Sequence, residues 1–280
     1  MPVFVFPGQG SQFPGMGKEL FDEFPDLVRE ADAVLGYSVR EVCMEPGGAR
    51  IAQTRYAQPA IYTVNVLTYL RFQRRSALRP SYLLGHSLGE YCALFAAGAF
   101  DFATGLALVA RRGDLMAEAD DGAMAAVVGL TAEQVEAVAA SRPDGGIWVA
   151  NLNTPQQVVI SGSTEQIRAA RADFLASGAT RYVVLPVSGA FHSPLMATAQ
   201  ARFTEVLAAA PIRELRIPVV ANLSGELHAD AGLRTSLAAQ LSGPVRWADS
   251  IRMLLARGET RFIETGARRV LTPMIAKIAA

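Results

Sequence analysis

The chain has 280 residues, of which 51% are hydrophobic, and this length can bury a substantial core in one large domain or in a large domain carrying a small one. Its 26 Lys and Arg residues balance 26 Asp and Glu residues, which argues against binding to nucleic acid or to an anionic membrane through overall charge. No uncharged run is long enough to span a bilayer. The two cysteines, Cys43 and Cys92, lack metal or redox spacing, so we expect core residues of a cytoplasmic protein.

The first predicted element is a buried strand over residues 1–6, because this apolar run stops at Pro7 and Gly8. It lacks the basic leader of a signal peptide, so we assign it to the folded domain. The loop over residues 7–12, Pro-Gly-Gln-Gly-Ser-Gln, has neither a P-loop lysine nor the spacing of a dinucleotide fingerprint. Glycines on both sides of Gln9 would let its backbone N–H approach a substrate oxygen.

Residues 85–89, Gly-His-Ser-Leu-Gly, have the form of a nucleophile elbow, the sharp turn between a strand and a helix. The flanking sequence predicts a strand over residues 82–84 and a helix over residues 90–97. That helix should end at Gly98. This context predicts Ser87 as a covalent nucleophile, with the backbone N–H groups of Leu88 and Gln9 as an oxyanion hole. The alternative is a chance match in a glycine-rich chain.

Asp101 is a good N-cap for a helix from Phe102 to about Ala119, in which two arginines are adjacent. Arg111 has Asp114 one turn away and Glu118 two turns away, and it should be an ion-paired surface residue. The neighbours of Arg112 one turn away are apolar: Leu108, Leu115 and Met116. A guanidinium on an apolar face needs an anion, and its two parallel N–H groups fit a carboxylate. That carboxylate could belong to a substrate or to an internal salt bridge.

The middle of the chain has a different pattern. Its predicted elements are a strand over 124–130, a helix over 131–140, strands over 147–151 and 157–161, a helix over 163–176 and a strand over 181–187. Both helices begin with capping boxes, formed by Thr131 with Gln134 and by Ser163 with Gln166. This β-α-β-β-α-β order is ferredoxin-like.

We therefore expect an α/β fold in which a large domain, residues 1–120 and 189–280, carries an inserted small subdomain, residues 121–188. The chain should leave and re-enter the large domain near Asp120 and Ser188. Further strands of the large domain are expected at 218–222 and 261–264.

A serine nucleophile requires a base, and the chain has three histidines. His86 adjoins Ser87 but should point away from it, and His228 lies in a polar stretch with Asp230. His192 lies in the small-residue loop that re-enters the large domain, a plausible wall of a cleft. A loop histidine alone is more often a surface residue, but the elbow favours His192 as the base.

The chain resembles malonyl-CoA:acyl carrier protein transacylases and the acyltransferases of polyketide synthases. The motifs that carry the resemblance are Pro7–Gln12, Gln58-Pro59-Ala60, Gly85–Tyr91, Arg112-Gly113, Asn151-Leu152-Asn153, Gly189–Ser193 and Pro244–Trp247. The resemblance implies an α/β-hydrolase-like large domain with a ferredoxin-like small subdomain. One departure is residues 266–269, Gly-Ala-Arg-Arg, where relatives often have a Gly-Pro-Gly-Lys-like turn.

The resemblance also implies site roles. Ser87 would be the nucleophile, His192 the base and Arg112 the clamp for a free carboxylate. Gln9 and Leu88 would form the oxyanion hole. Gln58 and Asn153 would line the pocket. A main-chain carbonyl near Arg246 would orient His192. Phe191 would leave little room beside the substrate α-carbon, which favours malonyl over methylmalonyl groups.

The implied reaction moves malonyl from coenzyme A to the phosphopantetheine thiol of a holo acyl carrier protein through a malonyl-serine ester, in trans for a polyketide synthase. We expect no metal or bound cofactor and a monomer. Alternatives are a fatty-acid malonyl transacylase, an acyl hydrolase acting on carrier-bound chains and a catalytically silent docking module. Carrier proteins are usually acidic where they dock, so basic groups could bind them. The candidates are Arg71, Arg74 and Arg75, or Arg268 and Arg269.

Overall fold

The computed structural model describes residues 1–119, 121–143 and 145–280, and of Asp230 only the backbone. The strands are β1 Val3–Phe6, β2 Leu83–Gly85, β3 Ala123–Val128, β4 Ile147–Thr154, β5 Gln157–Gly162, β6 Arg181–Val184, β7 Val219–Val220 and β8 Phe262–Glu264. The helices are α1 Lys18–Glu23, α2 Pro25–Leu35, α3 Val39–Met44, α4 Thr54–Arg75, α5 Gly89–Ala97, α6 Phe102–Ala117, α7 Ala132–Ser141, α8 Thr164–Ala169, α9 Arg171–Ala176, α10 Ala197–Ala209, α11 Leu233–Ala239, α12 Trp247–Ala256 and α13 Thr272–Ala279, with 3₁₀ turns at Pro194–Met196 and Asp230–Gly232.

The first sheet is parallel and has the strand order β7-β2-β1-β8. All four side chains of β1 are buried, as expected for a central strand covered on both faces. Phe6 at the end of β1 pairs with Gly85 at the end of β2. The loop after β1 and the predicted elbow after β2 therefore lie side by side at the carboxyl edge of the sheet, where α/β folds usually bind ligands.

The helices around the predicted elbow are confirmed. Helix α5 ends at Gly98, whose φ of 85° lies in the left-handed region that favours glycine as a C-cap. Asp101 caps α6 by accepting a hydrogen bond from the Thr104 N–H at 2.8 Å. Helix α6 ends at Ala117, two residues before the predicted end.

The second sheet is antiparallel and has the strand order β4-β5-β3-β6. The elements follow the predicted β-α-β-β-α-β order, with the second helix split at Ala170 into α8 and α9. Thr131 and Gln134 form the predicted reciprocal capping box. Strand β4 continues to Thr154, beyond the predicted end, because Leu152 and Thr154 still pair with Val158 and Gln157 of β5.

The structure is mixed α/β with two sheets that share part of one apolar core. One cluster lies between the helices α7, α8 and α9 and one face of the antiparallel sheet. A large cluster covers one face of the parallel sheet and extends to the other face of the antiparallel sheet, and a smaller cluster covers the second face of the parallel sheet. The predicted boundary residue Asp120 lies outside the described residues. In the described part of the chain, no helix combines the length and apolar character needed to cross a membrane.

Candidate active site

Ser87 lies in a strained turn between β2 and α5. Its φ of 51° is in the left-handed region, which costs a residue with a Cβ about 1–3 kcal/mol. Glycines make the turn possible, because a Cβ on Gly85 would lie 1.9 Å from the Gly89 carbonyl carbon. A Cβ on Gly89 would lie 2.0 Å from the Phe6 carbonyl oxygen. The turn thus depends on close backbone contacts that only glycine allows.

The structure brings His192 against Ser87. The Oγ atom of Ser87 lies 2.8 Å from Nε2 of His192. On the other side of the ring, Nδ1 lies 2.8 Å from the Gln240 carbonyl oxygen and 3.2 Å from that of Gly243. Two carbonyl acceptors assign the proton to Nδ1, so Nε2 is left to accept the Ser87 hydroxyl proton.

A main-chain carbonyl near Arg246 does meet His192, but Arg246 itself does not supply it. Arg246 precedes α12, and its carbonyl oxygen accepts hydrogen bonds from the backbone N–H of Ser250 at 3.0 Å and from its Oγ at 2.8 Å. The first turn of the helix therefore uses this carbonyl. The acceptors for His192 lie three and six residues earlier, at Gly243 and Gln240.

Burial, reinforced by the positive charge of Arg112, lowers the pKa of His192 to about 3. The ring is therefore neutral at physiological pH, as a base must be. Desolvation also lowers the pKa of His86, whose Nε2 lies 2.8 Å from Oδ1 of Asn153. As predicted, His86 does not pair with Ser87, although it lines the same cavity.

Arg112 is a buried cation, 1% exposed, beside the predicted nucleophile. Its Nη2 donates to Ser87 Oγ at 3.1 Å and to Oε1 of Gln240 at 2.8 Å, and its Nη1 donates to Oε1 of Gln58 at 2.7 Å. Its Nε is buried without a partner among the described residues. No described carboxylate forms a salt bridge with it, so the internal ion pair considered from the sequence does not form there. Arg112 therefore still has N–H groups that can donate to an anionic ligand.

Arg111, the neighbour of Arg112, is half-exposed and is not part of this cluster. Its predicted ion pairs are absent from the described residues. Of the two acids expected to pair with it, Asp114 pairs with Arg55 and Glu118 pairs with Arg202.

A cavity of about 280 Å³ opens at Ser87 between the two sheets. Its polar wall contains Gln9, Gln12, His86, Ser87, Arg112, Asn151, Asn153, Gln157 and His192, and its apolar wall includes Met116, Met124, Ala126, Val159, Phe191 and Met274. Asn153 and Phe191 therefore line the pocket, as predicted. Gln58 does not; it is fully buried behind the guanidinium of Arg112.

The two predicted oxyanion donors also border this cavity. Gln9 and Leu88 both line it, and neither backbone N–H has a hydrogen-bond partner among the described residues. The Gln9 side chain is held away by a hydrogen bond from Nε2 to Oγ1 of Thr54 at 3.1 Å. These two amides are thus available to an oxygen placed near Ser87.

Sequence reasoning missed three residues that hold the site. Gln240 contacts Arg112 through its side chain and His192 through its carbonyl. Asn222 accepts a hydrogen bond from the Ser87 N–H at 2.5 Å and donates to the Gly85 carbonyl at 2.6 Å. Glu90 is buried within α5. Of the three, only Glu90 could have been found from the sequence, because a carboxylate in the apolar run after the elbow predicts a buried charge that needs partners.

The sequence model of the family described as "Acyl transferase domain" matches residues 3–278 of this chain. The chain belongs to this acyl transferase family.

Individual proteins show which acyl transferases this chain is similar to. The chain is 47% identical to the polyketide biosynthesis malonyl CoA-acyl carrier protein transacylase BaeC of Bacillus velezensis, over 99% of this chain and 96% of BaeC. It is 48% identical to the polyketide biosynthesis protein ThaF of Burkholderia thailandensis over 99% of this chain, which spans only 24% of ThaF. The crystal structure of a malonyl CoA-acyl carrier protein transacylase from Burkholderia pseudomallei matches with a TM-score of 0.96 and 46% identity, covering 100% of this chain and 98% of that one.

Proposed function

We propose that this chain moves a malonyl group from coenzyme A to the phosphopantetheine thiol of an acyl carrier protein through a malonyl ester of Ser87. The observation that carries the proposal is the buried guanidinium of Arg112, which lies 3.1 Å from Ser87 Oγ and has no described carboxylate partner. The free carboxylate of malonyl would satisfy this cation next to the reacting thioester.

The reaction has two similar halves. His192 Nε2 takes the Ser87 hydroxyl proton while Oγ attacks the thioester carbonyl, and the backbone N–H groups of Gln9 and Leu88 hold the oxyanion. Coenzyme A then leaves as a thiol and takes the proton from His192. In the second half the pantetheine thiol gives its proton to His192 and attacks the ester, and Ser87 recovers its proton as it leaves.

Arg112 also connects substrate choice to base strength. Its charge is one cause of the lowered pKa of His192. A malonyl carboxylate bound to Arg112 would offset that charge and make His192 a stronger base in the complex. An acetyl group, without a carboxylate, would leave the base weak. Phe191, 5% exposed in the cavity wall, would oppose a substituent on the α-carbon.

We assign the chain to a polyketide pathway, as a separate acyltransferase acting in trans. The support is its similarity to BaeC and ThaF, both described as polyketide biosynthesis proteins. The acyl hydrolase alternative is disfavoured, because a hydrolase of uncharged acyl chains gains nothing from a buried cation beside its nucleophile.

For the carrier protein we favour Arg268 and Arg269. Both are exposed, and the Arg268 guanidinium lies 4.8 Å from the ring of Phe13, which follows the cavity residue Gln12. Of the other candidates, Arg71 and Arg75 form ion pairs with Glu19 and Glu23, and Arg74 lies over the Phe24 ring. None of these partners lines the cavity or adjoins a residue that does.

The division into an α/β-hydrolase-like domain (1–120 and 189–280) and a ferredoxin-like subdomain (121–188) is also a proposal. It is supported by the parallel sheet, which takes β1 and β2 from the first segment and β7 and β8 from the last. The antiparallel sheet comes wholly from the middle segment.

The test is intact-protein mass spectrometry after brief incubation with malonyl-CoA or acetyl-CoA, followed by a holo acyl carrier protein. We expect a malonyl adduct that moves to the carrier. Loss of the adduct to water, or a preference for acetyl, would favour the hydrolase, and an unmodified protein would favour the silent docking module.

A further inference from the structure

Glu90 is a buried carboxylate that the proposed reaction does not use. It lies in the first turn of α5, three residues after Ser87, and its side chain is 1% exposed, as is that of His228. Its Oε1 lies 2.5 Å from Nε2 of His228. Its Oε2 accepts hydrogen bonds from Nε2 of Gln240 at 2.5 Å and from the Asn222 N–H at 3.3 Å. Burying a carboxylate is costly, and here donors on two other segments satisfy it.

Both residues bonded to Oε2 of Glu90 continue into the active site. Gln240 accepts a hydrogen bond from Arg112 Nη2 through Oε1 and one from His192 Nδ1 through its main-chain oxygen. Asn222 accepts one from the Ser87 N–H. The carboxylate of Glu90 is therefore one residue away from the proposed nucleophile, base and clamp.

Glu90 is one of three groups that fix which way the Gln240 amide faces; the others are Arg112 and the Ser87 carbonyl, which accepts from Nε2 of Gln240 at 3.1 Å. An ionised carboxylate only accepts hydrogen bonds, so Gln240 must turn its NH₂ group toward Glu90. Its Oε1 is then forced toward Arg112, which only donates. A flipped amide would place a donor against the guanidinium and lose all three of these hydrogen bonds. His228 completes this arrangement by donating to Oε1, the oxygen of Glu90 that Gln240 does not use.

We propose that Glu90 and His228 form a positioning pair that, together with the Ser87 carbonyl, sets the orientation of the Gln240 side chain and thereby holds Arg112 for the malonyl carboxylate. The proposal rests on the proposed malonyl transfer. His192 should depend less on the pair, because Gly243 provides a second carbonyl for its Nδ1. Disturbing the pair should therefore reduce malonyl transfer more than acetyl transfer, whereas a purely structural role would lower stability and leave that preference unchanged.

The test compares His228→Leu, which removes the donor to Glu90, with His228→Gln, which keeps an N–H donor of similar reach. The measured quantity is kcat/KM for acylation by malonyl-CoA and by acetyl-CoA. We expect His228→Leu to lower the malonyl-to-acetyl ratio about tenfold, the effect of one charged hydrogen bond, and His228→Gln to restore most of it.

Ser250→Ala is the matched control, because it removes another buried side-chain hydrogen bond, to the Arg246 carbonyl, without removing any bond of Glu90, His228 or Gln240. It should lower the melting temperature and leave the ratio unchanged. An unchanged ratio in His228→Leu, an equal decrease in Ser250→Ala or no restoration by His228→Gln would overturn the proposal.

If His228→Leu does not fold, Gln240→Met decides the question. Methionine keeps the main-chain carbonyl for His192 and the side-chain volume, but it cannot bond to Glu90 or accept strongly from Arg112. We expect the same decrease in the ratio, and an unchanged ratio would overturn the proposal. A wild-type protein that forms no malonyl adduct would instead reject the proposed function, so the two failures are distinguishable.

Discussion

The elbow at Ser87 and the loop at His192 each contain a residue with positive φ, but different hydrogen bonds hold the two backbones in place. Among the described residues, these are the two non-glycine residues with positive φ, 51° and 60°. The elbow closes on itself, with the Gly89 N–H donating to the His86 carbonyl and the Glu90 N–H to that of Ser87. Each residue is also held by a distant segment, since the Ser87 N–H donates to the Asn222 side chain and the His192 N–H donates to the Leu241 main-chain carbonyl. Strain at both positions is consistent with functional roles, but only the elbow has a local sequence signature.

The largest effects on acyl-enzyme formation are expected when the side chains of Ser87 and His192 are removed in turn. Ser87→Ala should abolish the acyl-enzyme, because no oxygen remains to carry the acyl group. His192→Ala should slow its formation by about 10²–10⁴-fold, the usual contribution of a general base. Rapid-quench mass spectrometry measures both. A stable adduct on Ser87→Ala would remove the elbow from the mechanism, and a wild-type rate in His192→Ala would remove the loop.

Arg112 connects the elbow with the loop at His192, since it contacts Ser87 Oγ directly and reaches His192 through Gln240. Arg112→Ala should reduce kcat/KM for malonyl-CoA about 100-fold, through loss of a charged, buried contact. Acetyl transfer should change much less. The half-exposed Arg111→Ala is the matched control and should behave as wild type with both substrates. Equal losses with malonyl and acetyl would contradict the carboxylate clamp.

Glycine substitutions test how rigidly each region is built. A Cβ at Gly85 would lie 1.9 Å from backbone of the elbow, whereas a Cβ at Gly189, before the His192 loop, would lie 2.3 Å from the side chain of Phe191. A ring can move more easily than a backbone. We expect Gly85→Ala to lower the free energy of unfolding by about 3 kcal/mol or more, and Gly189→Ala by about 1 kcal/mol. Urea unfolding measures both, and equal losses would show that the two regions are equally rigid.

The smallest expected effect is a flat pH profile. A histidine with an ordinary pKa near 6.5 gains a proton as the pH falls, and activity then drops about tenfold per unit. A pKa lowered to about 3 keeps His192 neutral well below that range. We therefore expect kcat/KM for acylation to change little between about pH 8 and about pH 5. The profile should be the same for acetyl-CoA, because kcat/KM reports the free enzyme. A decrease centred near 6.5 would contradict the buried environment of His192.

Local patterns predicted the parts of the site that short segments build. The helix after Asp101 placed Arg112 on an apolar face, and the structure buries it at 1% exposure. The capping box at Thr131 marked the start of α7 correctly. Helical periodicity, N-caps and turn glycines act within a few residues, so the sequence records them directly. The same reasoning wrongly assigned ion pairs to Arg111, because Asp114 and Glu118 have partners on other helices.

By itself, the sequence determined the strained turn at Ser87, the apolar setting of Arg112 and the order of strands and helices. The tertiary structure decided what surrounds them. Gln240 reaches the Ser87 carbonyl across 153 residues of chain, and Asn222 reaches the Ser87 N–H across 135. It also replaced Arg246 by Gln240 and Gly243 as the acceptors for His192. The physical reason is that every residue has a main-chain carbonyl, so which one meets the imidazole depends on packing and leaves no pattern in the sequence.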